Sequence, residues 1–111
     1  MAKPAGSVEL PEAVQEIIDR IVEGYDPERI IIFGSYARGD ASPGSDLDVL
    51  VIKETPERET SRRIALSRLI GPRRLGVDLI AKTPDEVRYM LDRRSLFMHT
   101  IMDEGVVVHE G

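Results

Sequence analysis

Two apolar runs, Ile30-Ile31-Ile32-Phe33 and Val49-Leu50-Val51-Ile52, stand close together in the chain, joined only by a turn, a short helical stretch and a Pro/Gly/Ser loop from Asp40 to Gly44. Each run is β-branched, uninterrupted and short, the pattern of a buried strand. A parallel pair requires a helical crossover, and this connection is too short to supply one. The two strands, predicted over residues 29–33 and 46–53, are therefore expected to pair antiparallel.

The rest of the chain supplies helices and further strands. Val14, Ile17, Ile18, Ile21 and Val22 recur at helical spacing between charged residues, which predicts an amphipathic helix over 11–23 with Pro11 in its first turn and Gly24 past its end. Thr55-Pro56-Glu57 reads as the start of a second helix that ends at Gly71-Pro72. Leu75 to Ala81 reads as a strand. Thr83-Pro84-Asp85-Glu86 has the form of a capping box with proline at the first helical position, opening a helix with Val87, Met90 and Leu91 inward. A last helix over about 95–103 collects Phe97, Met98, Ile101 and Met102, and a short strand follows from Val106 to His109. The fold class is α/β in the α+β sense: a mixed, mostly antiparallel sheet of three to four strands with helices packed on it. Residues 1–8, without apolar periodicity, are expected to form a flexible tail, and residues 9–111 a single domain.

The residues that carry chemistry cluster around the first two strands. Gly34-Ser35 follows the first strand and opens a short helical turn, where unpaired backbone N–H groups and the helix dipole favour an anion. Gly34 allows a phosphate to approach the backbone, the Ser35 hydroxyl can donate to it, and Arg38 reaches the same place with a permanently charged fork. Asp46 and Asp48 are two apart on a strand and so point to one face, with Cα atoms roughly 6.6 Å apart at ~3.3 Å per residue. Carboxylates that close raise a pKa or recruit a cation, and oxygen ligands suit Mg²⁺ shared with substrate phosphates. Asp78 is the lone carboxylate of an otherwise apolar strand, where burial without a partner is costly. His99 and His109 lack metal-ligand spacing, and Met90, Met98 and Met102 read as core.

Taken together, Gly34-Ser35-Tyr36-Ala37-Arg38-Gly39 followed by Ser45-Asp46-Leu47-Asp48 resembles the signature of the DNA polymerase beta-like nucleotidyltransferase superfamily, and the small size that of its minimal nucleotidyltransferases. The resemblance implies a nucleotidyltransferase fold and Mg²⁺-dependent transfer of a nucleoside monophosphate, AMP in the first instance, from a triphosphate (ATP) to an acceptor hydroxyl. It assigns Asp46, Asp48 and Asp78 as catalytic and metal-binding residues for two Mg²⁺ ions, with Mn²⁺ able to substitute, and Gly34, Ser35, Arg38 and Ser45 as nucleotide-binding residues. It further implies a HEPN-domain partner, a toxin whose tyrosine is the acceptor, with this chain as the antitoxin. The alternative is a catalytically silent module that neutralises the HEPN toxin by complex formation. A homo-oligomer is compatible with so open a site.

Charge narrows the partners. The net charge of −5 argues against binding long nucleic acid, whose affinity rests on phosphate neutralisation. From Arg58 to Arg74, however, six arginines face only Glu59, so this segment carries +5 and the remainder −10. The segment reads as a solvated helix face or as a docking surface for a polyanion or an acidic partner. No apolar run approaches the ~20 residues of a membrane span, no secretory segment opens the chain, and cysteine is absent, which together predict a cytoplasmic protein.

Overall fold

The computed structural model describes residues 2–4 and 6–111. Its centre is β1 (Arg29–Phe33), whose Ile30, Ile31 and Ile32 are fully buried. β1 runs antiparallel to β2 (Leu47–Ile52) on one side and to β4 (Val106–Glu110) on the other, while β2 runs parallel to β3 (Val77–Lys82). The strand order is β3-β2-β1-β4, a mixed sheet with two antiparallel pairs and one parallel pair, as expected. The parallel pair is the one whose connection contains a full helix, α3 (Glu59–Ile70).

Helices cover both faces. On one, α1 (Glu12–Tyr25) and α3 seat Ile17, Ile18, Ile21, Leu66 and Ile70 against Ile30, Ile32, Val49 and Val51. On the other, α4 (Pro84–Asp92) and α5 (Leu96–Glu104) bring Val87, Met98 and Ile101 to Ile31, Leu50 and Ile52. The two-sided apolar character of β2 is thereby explained. The capping box at Thr83 forms, its hydroxyl accepting from the Glu86 N–H while the Glu86 carboxylate accepts from the Thr83 N–H.

Several expectations are corrected. Gly24 lies inside α1 rather than beyond it, and the Leu69 side chain occupies the space a Cβ would fill, so this glycine serves the packing of α1 on α3. α3 begins at Glu59, not at Thr55–Glu57; there the Thr55 hydroxyl instead accepts from the Glu57 N–H at 3.2 Å, closing a local turn. Within α3, Ile64 is 49% exposed. Asp78 is not buried: β3 is an edge strand and its carboxylate faces solvent. Within the stretch expected as a tail, Met1 and Ala5 lie outside the described residues. Lys3 in that stretch bridges to β4, its N–H donating to the Gly105 carbonyl and its carbonyl accepting from the Val107 N–H. Among the described residues no helix is long and apolar enough to cross a membrane.

One arginine of the basic segment is interior. Arg62, only 5% exposed, donates to Glu86 at 2.6 Å and to the carbonyls of Glu57 at 2.8 Å and Ala81 at 3.4 Å, tying α3 to β3 and α4. Burial alone would push the Glu86 carboxyl up, but the Thr83 N–H, the Arg62 guanidinium and Lys82 outweigh it and hold it below the ordinary range. Arg62→Ala strands these acceptors and is expected to cost about 2–3 kcal/mol. Calorimetric unfolding should show this as a Tm lower by on the order of 10–20 °C.

Candidate active site

The site lies at one end of the sheet, where the turn after β1 meets the first residues of β2 and β3. β1 ends opposite Asp48, the register pairing Phe33 with that residue. The chain then turns at Gly34, which has φ +73°, and enters α2 (Ser35–Arg38). This left-handed conformation favours glycine, and there is a second reason for it: a Cβ at this position would overlap the Asp48 carboxylate. The Ala37 and Arg38 N–H groups donate back to the Gly34 carbonyl at 3.1 Å, so the turn's own bonds begin at its third residue. As the first groups of the turn, the Ser35 and Tyr36 N–H groups have no partner within α2.

Asp48 and Asp78 are register partners in the parallel pair, so both side chains leave the same face of the sheet. Burial raises the Asp48 pKa above its ordinary value, and the neighbouring Asp78, through charge and a shared hydrogen bond, and then Asp46 raise it further; Arg38 acts in the opposite direction. Asp46 stands just before β2, exposed, with its carboxylate over Gly76 where a Cβ would overlap it. Of the two aspartates expected to converge, Asp48 thus leans to the β1 turn and Asp46 to the start of β3. Among the described residues no group of three or more His, Cys, Asp or Glu side chains is gathered as a finished metal site.

The structure places the other predicted residues as follows. Arg38 is half-exposed and paired with Asp40 at 3.3 Å, an exposed ion pair of the kind that contributes little and is readily exchanged. The Ser45 hydroxyl is engaged within its own loop, accepting from the Ser42 N–H at 3.0 Å, and the Ser45 carbonyl accepts from the Tyr36 hydroxyl at 3.4 Å. Two contributors were missed by sequence reasoning. Gly76 makes room for Asp46; a glycine immediately before an acidic strand was the available signal. Phe33 meets the ring of Phe97 edge-to-face, centroids 5.9 Å apart, beside the acids; that contact joins β1 to α5 across the sheet and has no local signature.

A profile described as "Nucleotidyltransferase domain" matches residues 14–106. The chain belongs to this family. Over 38 residues it is 50% identical to a protein of Methanocaldococcus jannaschii named as a candidate protein adenylyltransferase, a match covering 33% of this chain and 38% of that one. A second protein of the same organism and name is 40% identical over 50 residues, 44% of this chain and 58% of that protein. These matches span less than two thirds of either relative. The fold is similar to the crystal structure of a candidate nucleotidyltransferase from Sulfolobus solfataricus, with TM-score 0.53 and 23% identity over 92% of this chain and 90% of that one. The family match thus runs from the first turn of α1 to the first residue of β4 and contains every acid of the site.

Two expectations follow from the geometry. Gly34→Ala adds both a strained φ and a clash with Asp48, and should lower stability by about 1–3 kcal/mol in denaturant unfolding. Because the Asp48 pKa is raised in the folded state, its protonated form stabilises the fold below the ordinary carboxylate range, and that stability is lost as pH rises through the folded value. Asp48→Asn should therefore have the higher Tm at pH 7, with the difference shrinking as both proteins are taken to about pH 4.

Proposed function

We propose that the protein transfers a nucleoside monophosphate, AMP from ATP, to a hydroxyl group on a protein. The single observation that carries this reading is the side-by-side placement of Asp48 and Asp78 on β2 and β3, with the Asp48 carboxylate against the glycine turn at Gly34. The names of the two Methanocaldococcus proteins support the adenylyl group and the protein acceptor.

The donor set fits Mg²⁺. It is all carboxylate oxygen, two of its members already in contact, and the open side leaves room for phosphate oxygens to complete the shell. Asp46, Asp48 and Asp78 would hold the ions, whose chemistry would be to neutralise charge on the phosphates and on the attacking and leaving oxygens. The protein's own part is positional. Ser35, with the N–H groups of Ser35 and Tyr36, receives the distal phosphates, and Arg38 leaves Asp40 to join them. The acceptor oxygen bonds to the α-phosphorus as the bond to the β-phosphate breaks, pyrophosphate departs past the turn, and the acceptor's proton passes to an aspartate carboxylate.

A tyrosine of a HEPN-domain toxin is the acceptor that the resemblance suggests, and the chain would then act as its antitoxin. The silent-binding alternative makes the opposite prediction, neutralisation that persists without the acids. The deciding experiment is titration calorimetry of ATP with Mg²⁺, alongside transfer of radiolabelled AMP. Asp46→Asn with Asp48→Asn should abolish metal-dependent binding and reduce transfer by at least about 10³-fold, as expected when charge stabilisation in phosphoryl transfer is removed. Transfer unchanged in that variant would overturn the mechanism.

A further inference from the structure

We propose that the free edge of β3 and the adjoining face of α3 form the docking groove for the acceptor polypeptide, which adds to the sheet as an extended, acidic strand. The inference rests on the transferase reading above but uses a different surface.

β3 has a neighbour on one side only. The Leu47 N–H donates to the Gly76 carbonyl and the Lys53 N–H to the Lys82 carbonyl, so the even-numbered peptide groups of β3 face β2. By alternation, the N–H and C=O groups of Val77 and Leu79 face outward, an unpaired template for another strand. Farther along, the outward carbonyl of Ala81 is already taken by Arg62. The template therefore ends there and is confined to the half of the strand that carries Asp78. The opposite edge of the sheet differs: Lys3 makes two backbone bonds to the β4 side.

Beside this edge runs an open groove of about 330 Å³, lined by Arg63 and Ile64 of α3, Arg73, and Val77, Asp78 and Leu79 of β3. Arg63 and Arg73 are exposed, and Ile64 is an exposed large apolar side chain beside them. With Arg62 committed to the interior, the remaining arginines from Arg58 to Arg74 stand out on a chain of net charge −5. Positive charge flanking an open strand edge suits an acidic polypeptide, while among the described residues none that lines the groove carries an aromatic ring on which a nucleobase could stack.

Register then relates docking to chemistry. A residue paired with Asp78 shares its face of the sheet and points toward the catalytic acids, while its immediate neighbours point to the α3 side, toward Arg63, Ile64 and Arg73. The acceptor is accordingly a hydroxyl-bearing residue flanked on both sides by acidic or apolar ones.

The test uses the full chain without nucleotide, so that its failure is separable from failure of ATP binding. Fluorescence anisotropy is measured with a labelled decapeptide of alternating glutamate and tyrosine, its lysine–tyrosine counterpart, and a uridine decanucleotide. The acidic peptide should bind at least about tenfold more tightly than the basic one, shifting the amide resonances of Val77 and Leu79. Arg63→Glu with Arg73→Glu should weaken it about tenfold or more while leaving the Tm and the ATP titration unchanged. Equal binding of the two peptides, or preference for the oligonucleotide, would overturn the proposal. So would absence of peptide binding combined with self-association of the double variant, which would make the arginines guards of an edge strand.

Discussion

Everything at the sheet's working end accommodates one unfavourable contact, the carboxylates of Asp48 and Asp78 held on adjacent positions of a parallel pair. Neither can move away without shifting a strand that is anchored by the core on both faces. Asp48 leans over Gly34 because a residue with a Cβ would not leave it room, and Asp46 has the same relation to Gly76. The fold thus places negative charge where solvent alone would disperse it. Such an arrangement is stable enough to persist because the surrounding isoleucines and valines bury much more surface than the repulsion costs, and it is poised for any cation that arrives with phosphates.

How much of this could be read from the chain depended on whether the cause was local. The isoleucine run of β1, the capping box at Thr83 and the antiparallel pairing of β1 with β2 were all legible, since each follows from a few neighbouring residues or a connection length. The meeting of Asp48 with Asp78 was not, because it depends on which strand lies beside β2 and in which register. Only the resemblance of the glycine–serine and paired-aspartate pattern to a known family brought Asp78 into the site. Whether it is buried or at an edge stayed open for the same reason: an apolar strand can be central or peripheral until the strand order is known. Lys3 likewise has no periodicity to betray its pairing with β4.

Arg62 illustrates how a composition-level observation can merge two different roles. Six arginines in one segment read as a surface feature, yet one of them is a bolt between α3, β3 and α4, sealed by Glu86 and two carbonyls. Glu86 is at the same time a member of the capping box, so the start of α4 and the anchoring of α3 share a single carboxylate. The first turns of α4 and α3 are therefore expected to gain and lose order together.

The bond from Arg62 to the Ala81 carbonyl stands in for a missing neighbouring strand, but only at one end of β3. The other end, with Val77 and Asp78, has the ladder to β2 on one side and, among the described residues, no strand on the other. A strand secured unevenly loosens first where it has fewest partners, well before the core gives way. Warming the protein should therefore draw Asp78 away from Asp48 while the spectroscopic signature of the fold is still intact.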